Sequence, residues 1–377
     1  MTQFPFARGR EYVCKNIGDY VQAVATRQFI DHIDEYIEQE EANMYYPADG
    51  EKIRLVMNGW FQWQAKNWPP SEYILPLLIS MHISPLKAQE LLKPEGIAFL
   101  KKYSPVGCRD LYTKNLLEAH GIPAYFSGCM TLTLGKSYLV PDADHKGVYI
   151  VDPYIDIPPI YETPSPDAPL GRLHIKNALK GIAAFFRNVR GAVKLGKQEF
   201  FRVYSPTGFL DRSKSKLRPY YKAALFLDTY TKKFDADMLL RAHYITHWMD
   251  VKMDGSVNND DLLNAAEELI RKYASARLVI TSRIHAALPC LAVNTPVVFI
   301  ASREVVSDAG TFNVPGRLGG LLEFFRTLKL DGGIFTTDDE VFEKISVFSD
   351  DVAFRNKNNW KNYAVSLAEK VAEFMNV

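Results

Sequence analysis

Residues 278–300, "LVITSRIHAALPCLAVNTPVVFI", constrain the fold more tightly than any other stretch of the chain. Two β-branched apolar runs enclose a segment of helical composition, and strand, crossover helix, strand is the unit of a parallel sheet. Strands in such a sheet are covered on both faces, which is why these runs are continuously apolar rather than alternating. Ser282, Arg283 and His285 stand at the strand-to-helix junction, so a cation and an imidazole sit between two buried strands.

The same alternation recurs along the chain. Strands are expected at "IRLVMNGW", "YILPLLISMHI", "SPVGCRD" and "IPAYFSG", then at "KGVYIVDPY", "HYITHW", "ARLVITS" and "TPVVFIAS". "LYTKNLLEAHG" reads as a helix stopped by Gly121, and "DDLLNAAEELIRKYASA" as another. A chain of 377 residues exceeds one ordinary domain and suits two. The expected fold class is therefore α/β, with two doubly wound, Rossmann-like domains. The join falls near 136–147, where "GKSYLVPDADHKG" turns polar and rich in turn residues. That division gives an N-terminal domain over 1–140, a C-terminal domain over 141–350, and a helix in 351–377 packing back on the first domain.

Composition excludes several classes. A net charge of +1 gives no global reason to expect nucleic acid. "MTQFPFARGREYVCKN" has no apolar core of a signal peptide, and no apolar run approaches the length that spans a bilayer. Cys14, Cys108, Cys129 and Cys290 are scattered without CxxC spacing, so they read as reduced thiols of a cytoplasmic protein. His243 and His247 have i, i+4 spacing, but "AHYITHW" looks like a strand edge and lacks the carboxylate of a zinc motif. No metal is expected.

In a doubly wound sheet the ligand sits beyond the carboxyl ends of the strands. Residues 278–281 are the strand, Ser282 is the candidate N-cap, and "RIHAALPCL" is the helix. Its N-terminus offers unsatisfied N–H groups and a positive dipole end, which attract anions. Arg283 adds a fork suited to a carboxylate or phosphate. Pro289 removes the helical hydrogen bond to the carbonyl of His285. The alternative is a buried crossover whose Arg and His are satisfied by neighbouring backbone.

"ITSRIHAALPCLAVNTPVVFI" resembles the signature of the polysaccharide pyruvyl transferase family, a variant of S-R-[IL]-H-[AG] before an apolar helix and a T-P-V strand. "NIGDYVQAVA" (16–25) is similar to the family's N-x-G-D segment, "VGCRDLYTKNLLEAHGI" (106–122) to its R-D-x-x-[ST] segment, and "GGLLEFFRTL" (319–328) to its G-L segment. The resemblance implies two Rossmann-like domains facing a cleft, as in the GT-B glycosyltransferase architecture. It also implies transfer of pyruvate from phosphoenolpyruvate to two hydroxyls of a sugar as a ketal. Phosphoenolpyruvate is then a co-substrate, and no cofactor is implied.

Within that implication, Arg283 binds the phosphoenolpyruvate anion, with Ser282 beside it, and His285 acts as the acid or binds phosphate. Arg109, at a strand end, is a second cation reaching across the cleft, or else a salt-bridge partner of Asp110. Arg303 and Arg317 follow the last well-defined strand and are further phosphate candidates. Asp19 is a base for an acceptor hydroxyl or the N-cap of its helix. Asn58, Gly59, Trp60 and Gln22 are placed on the acceptor side, where an aromatic ring can stack on a sugar. Two other readings stay open: a glycosyltransferase using a nucleotide sugar on the same frame, and a non-catalytic homologue in glycan assembly.

Residues 155–235 lie outside the resemblance. Within 172–222 stand 13 Lys and Arg against Glu199 and Asp211, a local balance of +11, so the remainder is near −10. "GIAAFFRNVRGAVKLGK" places Ile182, Phe185, Phe186, Val189 and Val193 on one helical face, with Arg187, Arg190, Lys194 and Lys197 on the next. That pattern fits a helix at an anionic membrane surface and a sugar acceptor carried on a polyprenyl diphosphate. The alternative is an amphipathic core helix with a solvated basic rim, with Gly181 and Gly191 weakening it.

Overall fold

The computed structural model describes residues 2–3, 12–60, 64–141, 145–155, 172–204, 216–252, 257–302 and 318–376; at 2–3, 12–14, 172–178 and 180 it describes the backbone alone. The described chain begins its main body with β1 (Tyr12–Asn16) and α1 (Ile17–Arg27). A four-stranded parallel sheet follows, in the order β2 (Ile53–Gly59), β3 (Ile74–Met81), β4 (Val106–Cys108), β5 (Ala124–Phe126). Helix α2 (Leu111–Ala119) joins β4 to β5, and Gly121 beyond it takes a positive φ of 66°, as a helix stop requires.

β6 (Val148–Val151) begins the second half and leads to the helices α3 (Arg172–Arg187), α4 (Val189–Leu195), α5 (Glu199–Val203) and α6 (Arg218–Tyr230). Then come β7 (His243–Ile245), β8 (Trp248–Lys252), α7 (Asn259–Ala274), β9 (Leu278–Thr281), α8 (Ile284–Ala292) and β10 (Val297–Ser302). β11 (Thr327–Asp331), β12 (Ile334–Thr336) and α9 (Lys361–Asn376) close the described chain. The second sheet runs β12-β11-β10-β9-β6-β7, parallel except for β12. The stretch 278–300 is thus a strand, crossover helix and neighbouring parallel strand, and β7 lies at the sheet edge as its sequence indicates.

β1 and β8 pair antiparallel from Asn16 with Trp248 to Tyr12 with Lys252, a ribbon the sequence reading does not contain. It pulls α1 against the second half. One apolar cluster runs from Val56 and Ile79 of the first sheet, through Ile17, Val21 and Val24 of α1, to Val279 and Phe299 of the second. Val21 and Val24 are almost completely buried, and each such side chain contributes about 1.5–3 kcal/mol. α9 lies on the first sheet: its Leu367 and Val371 join the same cluster, and Lys370 stands over the Tyr125 ring of β5. A second cluster fills the space between the second sheet and α4, α5 and α6, through Ala192, Phe200, Phe226 and Ile280. Among the described residues no helix is long and apolar enough to cross a membrane.

Candidate functional site

Register decides what meets at the end of the second sheet. Thr281 of β9 pairs with Val151 of β6, so Ser282 and Arg283 leave the sheet beside Asp152 and the turn that follows it. The Arg283 Nε donates to Asp152 Oδ2 at 3.2 Å, and the guanidinium lies 5.2 Å from the centre of the Trp248 ring. Among the described residues neither terminal nitrogen of Arg283 has a partner, so the fork remains available to an anion. Asp152 is 4% exposed and holds a φ of +38°, a strained backbone for a residue with a side chain.

Ser282 is not the N-cap. Arg283 occupies that position in an extended conformation, and its own N–H donates to Thr281 Oγ1 at 2.9 Å. The Ser282 hydroxyl instead accepts the Tyr154 N–H at 2.7 Å and ties the turn after β6 to the β9–α8 junction. The cause is register again: the adjacent turn reaches Ser282 before the first turn of α8 does.

α1 brings the N-terminal segment to the same place. Asn16 caps it by accepting the Gly18 N–H at 3.1 Å, which corrects the assignment of that role to Asp19. Asp19 lies in the first turn instead, where its Oδ1 stands 3.8 Å from His285 Nδ1, an ion-pair distance rather than a hydrogen bond. His285 is in the first turn of α8 and is 4% exposed. Gly18 is required by close approach, since a Cβ there would lie 2.6 Å from His247 Nδ1. His247 is a hub. Its N–H donates to Asp152 Oδ2, its carbonyl accepts from the Ile17 N–H, and its Nε2 lies 2.6 Å from the Tyr273 hydroxyl. Burial pulls its imidazole down to about 4, so it stays neutral. Beside Asp19, burial also pulls the Lys15 ammonium down to about 8 and pushes the Glu38 carboxyl up to about 7.

The end of the first sheet supplies a second cation. Arg109 follows β4 and is 2% exposed. Asp110 is not its partner: Asp110 accepts from the Thr113 N–H to cap α2, and its other oxygen lies 2.6 Å from His82 Nδ1. Among the described residues no acceptor or carboxylate meets the Arg109 guanidinium, and its Nε is buried without a partner. An unpaired buried cation is costly, so such a site favours an anion. Arg109 lies close enough to Cys129 to act on its thiol, and Cys129 Sγ is 4.0 Å from Gln22 Oε1 on α1. One helix therefore presents Gln22 toward the Arg109 side and Asp19 toward His285. The "GGL" turn also reaches this end, because the Leu111 N–H at the start of α2 donates to Gly319 O.

The remaining positions divide. Asn58 accepts from the Thr26 hydroxyl and donates to the Gln22 carbonyl, which locks α1 to β2. Gly59 takes a φ of +118° and its carbonyl accepts the His82 N–H. Trp60 meets His82 edge to face at 6.0 Å. Arg303 and Arg317 lie outside the described residues. Among the described residues, no group of His, Cys, Asp and Glu is arranged to hold a metal. The sequence reading weighed His247 only as half of a rejected metal pair with His243, and missed Asp152, Trp248, Lys15 and Glu38. For Asp152 a signal existed, an Asp-Pro directly after a buried strand; for the others none did.

No curated protein and no solved structure matches the chain. The model of the polysaccharide pyruvyl transferase family matches residues 16–304, a span that holds Asp19, Arg109, Asp152, Arg283 and His285. The chain belongs to the polysaccharide pyruvyl transferase family, and with it to the pyruvyltransferases of polysaccharide biosynthesis.

Proposed function

We propose that the protein transfers a pyruvyl group from phosphoenolpyruvate to two hydroxyls of one sugar, forming a cyclic ketal on a polyprenyl-diphosphate-linked precursor in the cytoplasm. The observation that carries this reading is the state of Arg283. It is held at Nε by Asp152 and backed by Trp248, and its two terminal nitrogens, at the N-terminus of α8, meet no partner among the described residues. That arrangement suits a small dianion, and the Arg109 guanidinium, without a partner among the described residues, offers a second charge for the other acidic group. The domains divide near residues 140 and 350, with the carboxyl ends of both sheets facing a cleft in the GT-B manner and α1 between them.

The chemistry needs a proton on C3 of the enol, which leaves C2 electrophilic. His285 supplies that proton, and Asp19 places a carboxylate beside the ring that carries it. A sugar hydroxyl adds to C2 and loses its proton. The C2–O bond to phosphate then breaks, with Arg283 and Arg109 stabilising the departing phosphate. The second hydroxyl adds to C2, loses its proton and closes the ketal. Thermal stabilisation tests the donor: phosphoenolpyruvate raises the melting temperature and uridine or guanosine diphosphates do not. Stabilisation by the nucleotides alone transfers support to a glycosyltransferase.

A further inference from the structure

Along α3 and α4 the glycines mark the side that faces the protein; Phe185 packs against the second core cluster on that side, not on the outward apolar face where the sequence pattern placed it. At Gly181 a Cβ would lie 1.8 Å from the Tyr221 ring of α6, and at Gly191 2.6 Å from the Leu227 side chain. Ala184, Ala192 and Leu195 are buried on that same side. The glycines therefore mark close helix contact, and α3 and α4 are not isolated helices. The opposite side carries Leu179, Ile182, Phe186, Val189 and Val193 in one stripe. Phe186 is 75% exposed, Leu179 61% and Ile182 50%, values foreign to a core face. Arg190, Lys194 and Lys197 stand exposed along this stripe, and Arg187 is joined to Asp228 at 2.8 Å.

We propose that this stripe is a docking surface for an anionic lipid bilayer, with Phe186 and Ile182 inserted at the headgroup boundary and Arg190, Lys194 and Lys197 on the phosphates. Charge complementarity selects this occupant. Arg190, Lys194 and Lys197 stand exposed beside the apolar stripe, within a segment, 172–222, whose sequence balance is +11 in a chain that nets +1, so an anionic surface suits this face better than a neutral one. A second copy of the chain docking face to face would oppose like cations. The surface is also tied to the turn that holds Asp152. The Tyr204 hydroxyl, just after α5, donates to Pro153 O, and the Tyr230 hydroxyl of α6 donates to Tyr154 O. Docking therefore sets the Arg283 site at a fixed position relative to the bilayer. This inference does not depend on the donor or on the ketal.

Flotation of the full chain tests it, with vesicles of phosphatidylcholine alone and of phosphatidylcholine with phosphatidylglycerol, at low and high salt. The wild type floats with the anionic vesicles at low salt and is released at high salt. Ile182→Ser with Phe186→Ser weakens partitioning roughly ten-fold or more. Arg190→Glu with Lys194→Glu weakens it by about five-fold or more for each cation lost. Unchanged melting temperatures show that these surface variants fold. If the serine pair does not fold, the charge-reversed pair and the salt series still decide. Equal flotation with both vesicle types, or no effect of either pair, overturns the proposal. So does a sedimentation mass that falls from dimer to monomer in the serine pair without vesicle binding, which makes the stripe a subunit interface.

Discussion

Arg283 and Asp152 join neighbouring parallel strands at their carboxyl ends, Nε to Oδ2 at 3.2 Å, so the carboxylate aims the guanidinium without consuming its fork. Asp152 does this from a left-handed backbone conformation that a side chain adopts only under constraint. The expected outcome of Asp152→Ala is a loss of pyruvyl transfer of about 10- to 100-fold, carried mainly by the KM for phosphoenolpyruvate. Arg283→Lys keeps the charge but not the fork and falls at least as far. Steady-state kinetics on folded protein check both, and wild-type KM values in either variant contradict the assigned roles.

Arg109 separates function from stability. Its guanidinium is buried and meets no partner among the described residues, so Arg109→Met removes an uncompensated charge. The variant should unfold no more easily than wild type, and about 1 kcal/mol less easily is expected. If Arg109 holds the donor as proposed, activity nevertheless drops by about 100-fold or more. Chemical denaturation alongside a transfer assay checks the opposed signs.

Gly18→Ala tests the approach of α1 to His247. The added methyl would meet Nδ1 at 2.6 Å inside a packed interface. A destabilisation of about 1–3 kcal/mol is expected. Gly50→Ala, a change at an open positive-φ turn, controls for backbone strain alone. A melting temperature for Gly18→Ala above that of the control contradicts the packing.

His247 predicts a direction with pH. Its folded value is depressed to about 4 from an ordinary 6.5, so its stabilising contribution is complete above pH 6.5 and is lost as pH falls toward 4. The contribution lost is about 3 kcal/mol. Glu38 runs oppositely: burial raises it to about 7, so stability linked to it is complete below pH 4.5 and is lost as pH rises to 7. Comparing wild type with His247→Asn cancels Glu38. The stability advantage of wild type should shrink between pH 6.5 and 4, and a constant difference refutes the neutral, buried state.

How much was legible in the sequence follows from how local each feature is. The β9–α8–β10 unit is contiguous, so strand type, helix and parallel direction were readable from β-branching and length alone. Asn16 as N-cap was readable from spacing but lost to Asp19, because both residue types cap and only the backbone decides. The β1–β8 ribbon was not readable: its two short strands are distant in the chain. Asp152 acts through register, Lys15 and Glu38 through burial, and neither property is local. For α3 and α4 the amphipathic pattern was visible, but the direction of burial depended on where Tyr221 and Leu227 meet Gly181 and Gly191.

On the proposed function Arg283 and Arg109 bind one dianion from opposite sheets, and calorimetric titration with phosphoenolpyruvate decides whether they do. Wild type should bind, Arg283→Lys and Arg109→Met should each lose roughly ten-fold or more, and a double variant should lose less than the product of the two because the charges share one ligand. Wild-type affinity in both single variants would contradict it.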